Sequence, residues 1–282
     1  EIVVCFEKIF IHLADNVRLS MIRTIIFAFI AAASLASCSA KTGDNEFNHN
    51  YMWFDCEANY ATLSHPDSIL FYMKKCQSLG FDNVVVDMKS IMGEVLYDSR
   101  IAPYMGDWEG VERARDYDMF GYFLQYGKEL GMRVFGSLNI FAGGHNFFDR
   151  GVIYGDKADW QSICYEKGKL VPISSIKTNY NGMMNPSIPE MQEYQIAILK
   201  EFVQKYPQMD GLIFDRVRYD GITADFSELS RRQFEEYAGV SVENFPEDIL
   251  SWYDENGKLR ANWVPGKHGK KWVEWRAKVI HD

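Results

Sequence analysis

Four times along this chain a short apolar run of strand length ends in a polar group that can do chemistry. Tyr51–Phe54 is followed by Asp55, Val84–Val86 by Asp87, Val134–Leu138 by Asn139, and Leu212–Phe214 by Asp215. Amphipathic stretches of helical period separate the runs, and Gly80 and Gly131 stand just before the second and third strands. Runs too short for helices, alternating with 3.6-period segments, predict βα units feeding a parallel sheet with helices outside. In such a sheet the polar residues that end the strands share one rim, where βα loops build active sites.

The helices are expected over His65–Leu79, from about Glu112 to Leu130, from an Asn185 cap with Pro186 at its first position to about Val203, over Ser227–Tyr237, and from Gly269 onward. Residues 139–183 read as a long connection without a helix, rich in Gly, Asn and aromatics, and so long a loop is more often functional than decorative. Four βα units are visible by Asp282, against the eight of a closed (β/α)8 barrel of the TIM type.

Residues 1–50 stand apart. Met21-Ile22-Arg23-Thr24 leads into an apolar run over Ile25–Ala36 and then Leu35-Ala36-Ser37-Cys38. A basic residue, a short apolar stretch and small residues predict a secretory signal over 21–37 rather than a membrane span. Its ending resembles the lipobox of bacterial lipoproteins, which implies lipidation at Cys38 and a cell-envelope location, anchored on the periplasmic or outer side of a bacterial membrane. Residues 1–20 read as an upstream extension, 38–50 as a polar tether and 51–282 as the partial barrel domain. The alternative for 25–36 is a core helix, with Cys38 a buried thiol.

Charge narrows the partners. Thirty Lys+Arg against 39 Asp+Glu leave a formal charge of −9, which argues against nucleic acid. Cys56, Cys76 and Cys164 match no zinc or disulfide framework, and no nucleotide-binding, P-loop or nucleophile-elbow pattern occurs, so no cofactor and no metal are expected.

Taken together, YMWFDCEAN at 51–59, GFDNVVVDMKSIMGEVLYDS at 80–99, LN at 138–139, NPSIPEMQEY at 185–194 and DGLIFDRVRYD at 210–220 resemble the glycosyl-hydrolase-like family 10 domain. That family comprises bacterial (β/α)8 proteins distantly related to the α-amylase superfamily, and the resemblance covers nearly all of 51–282. It implies hydrolysis of glycosidic bonds in a poly- or oligosaccharide and places Asp215 where α-amylase relatives carry the catalytic nucleophile. The superfamily's arginine two residues earlier is replaced by Ile213, and the later strands expected to supply a general acid do not follow. A non-catalytic carbohydrate-binding lipoprotein, or an inactive hydrolase fragment, is the alternative.

Glycoside hydrolysis needs two carboxyl groups across the scissile bond. Asp215 is the catalytic candidate, or else a structural acid paired with Arg216 or Arg218. If the extended chain continues, those arginines face one side and bind sugar hydroxyls or a substrate carboxylate; otherwise they pair with Asp220, Asp225 or Glu228. Asp87, with Lys89 two residues on, is expected to order a pocket floor. Glu57, Asn59 and Asn139 are candidates for the same mouth, with structural capping the alternative for Glu57 and Asn59, and so is His145 as sugar ligand, acid, base or metal ligand. Tyr154, Trp160, Tyr165, Tyr180, Trp252, Tyr253 and Trp263 are candidate stacking rings for sugar CH groups, though most are expected to pack.

Overall fold

The structure is a computed structural model and describes residues 50–282; the expected upstream extension over 1–20, the expected signal over 21–37, Cys38 and the expected tether up to residue 49 lie outside the described residues. Chain order begins with β1 (Tyr51–Phe54), α1 (Pro66–Ser78) and β2 (Asn83–Lys89). After a minimal hairpin of β3 (Asp107–Trp108) and β4 (Val111–Glu112) come α2 (Met119–Leu130) and β5 (Arg133–Asn139). β1, β2 and β5, joined by β10 (Gly211–Asp215), form one sheet in the order β1-β2-β5-β10, every pairing parallel. This is the expected set of four parallel strands, an arrangement consistent with part of a (β/α) barrel; among the described residues the sheet does not close.

The sequence explains which face the helices take. Gly136 sits mid-strand in β5, where a Cβ would come within 2.5 Å of the Phe202 ring and 3.4 Å of the Phe120 ring. That face therefore packs on α2 and on α3 (Pro189–Lys205), and only a glycine admits their rings so closely. Val84, Val86, Met88, Val134 and Leu138 join Phe120, Phe123, Ile198 and Phe202 in the main core. Each fully buried side chain of this size contributes about 1.5–3 kcal/mol of transfer free energy. By alternation Phe135, Ser137 and Asn139 point to the opposite face, the one a closed barrel would enclose.

Two helix starts differ from expectation. Residues 107–112 form the β3–β4 turn, with Glu109 and Gly110 at positive φ, so α2 begins only where Asp118 accepts from the Gly121 N–H. Asn185 does not cap α3, which starts after Ile188 with Pro189 in its first turn. Its amide instead donates to the buried Asp225 carboxylate at 2.8 Å, a nonlocal bond that competes with the local cap.

The connection after β5 is not structureless. β6 (Ala142–His145) pairs antiparallel with β9 (Asn181–Met183), and β7 (Ile163–Glu166) with β8 (Lys169–Pro172). Asn146 holds them from within: its amide donates to the carbonyls of Ile173 (3.0 Å) and Asn179 (2.9 Å) and accepts from the Tyr154 hydroxyl (2.7 Å).

Beyond β10, α4 (Glu228–Ala238) is capped by Ser227, β11 (Leu250–Tyr253) pairs with β12 (Leu259–Pro265), and α5 (Gly269–His281) follows. They surround a second core built largely of rings: Tyr165, Phe226, Phe234, Trp252, Trp272 and Trp275.

Candidate functional site

The register of the sheet brings the strand-end residues to one rim. Asp87 lies beside Ser137, Ser137 beside Ile213, and Asn139 beside Asp215. Laterally paired residues share a face, so Asp87, Asn139 and Asp215 all lie on the face away from the helices. Asp87 and Asp215 are two strands and two residues apart, a backbone separation on the order of 11 Å from ordinary strand spacings.

Asp87 is 5% exposed and accepts a 2.9 Å hydrogen bond from the indole of Trp53, its neighbour on β1. Burial pushes its carboxyl up to about 7, and Asp55 and Glu57 push the same way against Ser137 and the indole. Asp87 therefore holds a proton close to neutrality, as a hydrogen-bond donor or proton source requires.

Lys89 does not pair with Asp87 as expected. The register shifts between them, and the fully buried Lys89 ammonium donates to the carbonyls of Asn139 (2.5 Å), Ile140 (3.2 Å) and Ala142 (3.0 Å). Burial lowers its pKa to about 7. Asn139 replies by donating from Nδ2 to the Lys89 carbonyl at 2.8 Å, and its Oδ1 accepts from Arg216 Nε at 2.9 Å. One buried asparagine thus ties the ends of β2, β5 and β10 together. It acts here as an organiser, and its amide is already committed to protein partners.

Asp215 is half-buried; its Oδ1 takes the N–H of Arg216 at 2.7 Å, and its carbonyl takes that of Ile140 at 2.8 Å. It forms no ion pair with Arg216 or Arg218 among the described residues. Arg216 has φ +53°, a left-handed conformation rare for a side chain of its size. That bend ends the extended run, so the premise that would align Arg216 with Arg218 fails. Arg216 turns to Asn139 and to the Tyr180 hydroxyl, at 3.0 Å. Arg218 is exposed and lines a separate depression with Tyr219, Arg276 and Ile280. The expected ion pairs of either arginine with Asp220, Asp225 or Glu228 do not form. Asp220 is held by the amides of Asn179 (2.6 Å) and Asn181 (3.4 Å), and Asp225 by Asn185, Ser227, Ser230 and the Ile163 N–H.

His145 reaches the rim through the β6–β9 hairpin. Its ring lies 4.6 Å from Phe148, 5.7 Å from Phe147 and 5.9 Å from both Tyr180 and Trp108. Partial burial pulls its pKa down, and Nδ1 is buried without a hydrogen-bond partner among the described residues. Glu57 and Asn59 are turned to structural ends. Glu57 accepts from the Ile91 N–H (3.0 Å) and the Cys56 thiol (3.4 Å), with burial raising its pKa; Asn59 donates to the Asp55 carbonyl at 3.0 Å.

Most candidate rings are packed. Tyr154 serves Asn146, Trp160 meets Tyr194 edge-on, and Tyr165 and Trp252 are buried in the second core. Tyr180 alone of them stands exposed beside the rim, and Tyr253 and Trp263 are exposed on the distant β11–β12 ribbon. Trp53, Phe147 and Phe148 are the rim rings that sequence reasoning left out. Trp53 was legible, since it sits laterally across β1 from the strand that carries Asp87. Among the described residues no group of three or more His, Cys, Asp or Glu could hold a metal ion, and Cys56, Cys76 and Cys164 are buried free thiols.

This architecture has relatives. An S-layer-related protein of Niallia circulans is 29% identical over 242 residues, 81% of this chain but 14% of that protein, so the chain spans a small part of its relative's length. The α-L-fucosidase isoenzyme 2 of Paenibacillus thiaminolyticus superposes with a TM-score of 0.54 at 12% identity, over 83% of this chain and 29% of that one. A hypothetical protein from Ruminiclostridium thermocellum is 20% identical, with a TM-score of 0.42, over 68% of this chain and 94% of that one. The fucosidase likeness speaks to the fold, in keeping with a partial (β/α) barrel. Family is decided by the glycosyl hydrolase-like 10 model, which matches residues 52–282: the chain belongs to that family.

Proposed function

We propose that the domain binds a poly- or oligosaccharide across the sheet face opposite the helices and hydrolyses a glycosidic bond there. The observation that carries this reading is the pairing of two carboxyl groups in unlike settings on one face. Asp215 stands half-exposed at the end of β10, while Asp87, under Trp53, holds its proton up to about 7. Asp215 supplies negative charge to an oxocarbenium-like centre, as nucleophile or as stabiliser. Asn139 and Lys89 hold the strand ends in place, and Arg216, Tyr180 and His145 border the sugar. The name of the family and the fucosidase-like fold support the same class of chemistry.

The measurement is reducing-sugar release from bacterial and plant polysaccharides by the wild type beside Asp215→Asn, with both shown to fold. Release lost in the variant supports the hydrolase. One observation favours a second reading, a glycan-binding domain without turnover: Asp87 is only 5% exposed, leaving little access to a leaving-group oxygen. Binding without release by the wild type would decide for it.

We place the domain at the cell envelope, on the signal-like residues 21–37 and the likeness to an S-layer-related protein. Fatty-acid labelling that persists in Cys38→Ala would overturn lipidation at that residue.

A further inference from the structure

Two arginines flank the ring cluster around His145, and they are neutralised differently. Arg150, 5.9 Å from the Trp108 ring, is saturated by acids: Nη2 bonds Glu94 at 2.7 Å and Nη1 bonds Asp107 at 2.9 Å. Arg216, 5.6 Å from the Tyr180 ring, has only neutral partners, the Asn139 amide oxygen and the Tyr180 hydroxyl. The arginine ion pairs among the described residues belong to Arg115, Arg150 and Arg231, and Arg216 takes part in none. The two nearest acids in sequence are spoken for. Asp215 accepts the main-chain N–H of Arg216 rather than its guanidinium, and Asp220 is held by two asparagines.

Buried Arg113 and Arg276 also lack a carboxylate, but their guanidiniums bond main-chain carbonyls, whereas that of Arg216 bonds none. It is also held in place. Its backbone lies in the left-handed region, and the asparagine gripping Nε is 3% exposed and itself bonded to the end of β2. Nη1 has no partner among the described residues. A planar fork with fixed orientation and an open edge matches a carboxylate. Beside it, Tyr180 (43% exposed) and Phe147 (59%) lie with ring centroids 6.2 Å apart and offer apolar faces of the kind that sugar CH groups cover.

We propose that the glycan is acidic: Arg216 receives a sugar carboxylate through its Nη1 edge, while Tyr180 and Phe147 stack on the sugar that carries it or on its neighbour. This rests on the glycan reading above and narrows it to a substrate class.

The test compares isosteric pairs, galacturonate with galactose and glucuronate with glucose, titrated against the full chain by ligand-observed NMR at fixed ionic strength. The wild type is expected to bind each uronate about tenfold or more tightly than its neutral partner, a charge-assisted bond's worth. The ratio falls toward one in Arg216→Gln. Arg216→Lys, which keeps charge without the fork, falls between, and Tyr180→Phe lowers the ratio should Arg216→Gln fail to fold. Equal or tighter binding of the neutral sugars, or a ratio unmoved by all three variants, overturns the proposal. Binding of the neutral sugars alone sinks it and leaves the glycan reading standing. If no sugar of either kind binds the folded chain, both fall.

Discussion

The strand-end rim and the C-terminal module achieve order by opposite means. At the rim, Lys89, Asn139 and Arg216 are fixed by hydrogen bonds to one another and to main-chain carbonyls. In the module, rings fix rings: Phe226 stacks on Trp272 at 5.4 Å and 16°, Phe234 meets it at 4.9 Å, and Trp275 at 4.8 Å. The difference teaches where aromatic density is informative. A sequence rich in Trp and Tyr invites a search for sugar platforms, but the densest ring cluster here is a core. The rings open to a ligand are fewer, and polar groups that the backbone already holds surround them.

Removing a ring from the module should have the largest effect on stability. Trp272→Ala is expected to cost about 3–5 kcal/mol, and Phe202→Ala in the sheet core a similar amount. A buried polar contact, Asn185 with Asp225 at 2.8 Å, joins the segments that carry the two cores, Asn185 following Met184 of the first and Asp225 preceding Phe226 of the second. Urea unfolding followed by both tryptophan fluorescence and far-UV circular dichroism should therefore show one transition, shifted by either variant. Two separated transitions, each moved by one variant alone, would mean that the module folds independently and that its rings say nothing about the rim.

At the rim a smaller loss is expected to have a wider local effect. Asn139→Leu removes the acceptor of Arg216 and the donor to Lys89 together, about 1–3 kcal/mol. It also frees Arg216, so glycan affinity should fall more than stability alone explains. Isothermal titration on the folded variant checks this. Affinity equal to wild type would show that the rim does not depend on its polar ties.

The sheet was largely legible because its signals are local. Strand-length apolar runs, Gly131 at the end of α2 and the polar residue closing each strand suffice for four strands in the right order. What escaped was set by distant partners. Residues 140–183 hide two hairpins because their strands are three or four residues long and their pairing spans up to about forty residues of chain. Asn185 looks like a cap until Asp225 claims it. Within the site, Asp87, Asn139 and Asp215 were legible at or next to strand ends and Arg216 as the residue after one, whereas the hydrogen bonds that tie Lys89, Asn139 and Arg216 together were not. The rotation of Lys89 depends on a one-residue register shift, and the turn of Arg216 on a single left-handed φ, neither of which composition or period reports.

A subtler contrast appears with pH. Asp87 is raised from its ordinary 3.8 to about 7, so its contribution to stability is complete below 3.8 and lost as pH rises through about 7. Glu57 and Asp225, both raised by burial, act in the same direction. Lys89 is lowered from 10.5 to about 7, so its contribution is complete above 10.5 and lost as pH falls through about 7. These groups together predict a shallow minimum of stability near neutrality. Urea midpoints measured from pH 4 to 10 should show it. Asp87→Asn should flatten the acid limb and Lys89→Met the alkaline limb, and a minimum unchanged in both variants would assign it to other groups.

The least disruptive change separates the two kinds of aromatic residue most cleanly. Phe147 is 59% exposed, touches His145 and Tyr180 by its ring edge and tilt, and fills no core, so Phe147→Ala should leave stability within about 0.5 kcal/mol of wild type. If its exposed ring covers the apolar side of a bound sugar, the same variant loses glycan affinity severalfold. Trp272→Ala is the opposite case, with a large loss of stability and no direct contact with the rim rings. Titrating one oligosaccharide against both variants, at a temperature where each is folded, measures the separation. Affinity lost in Phe147→Ala and kept in Trp272→Ala would fix the rim as the sugar platform. The reverse outcome would move the platform to the module, whose apolar cleft of about 230 Å³ beside Trp263, Pro265 and Trp272 is the natural place for it.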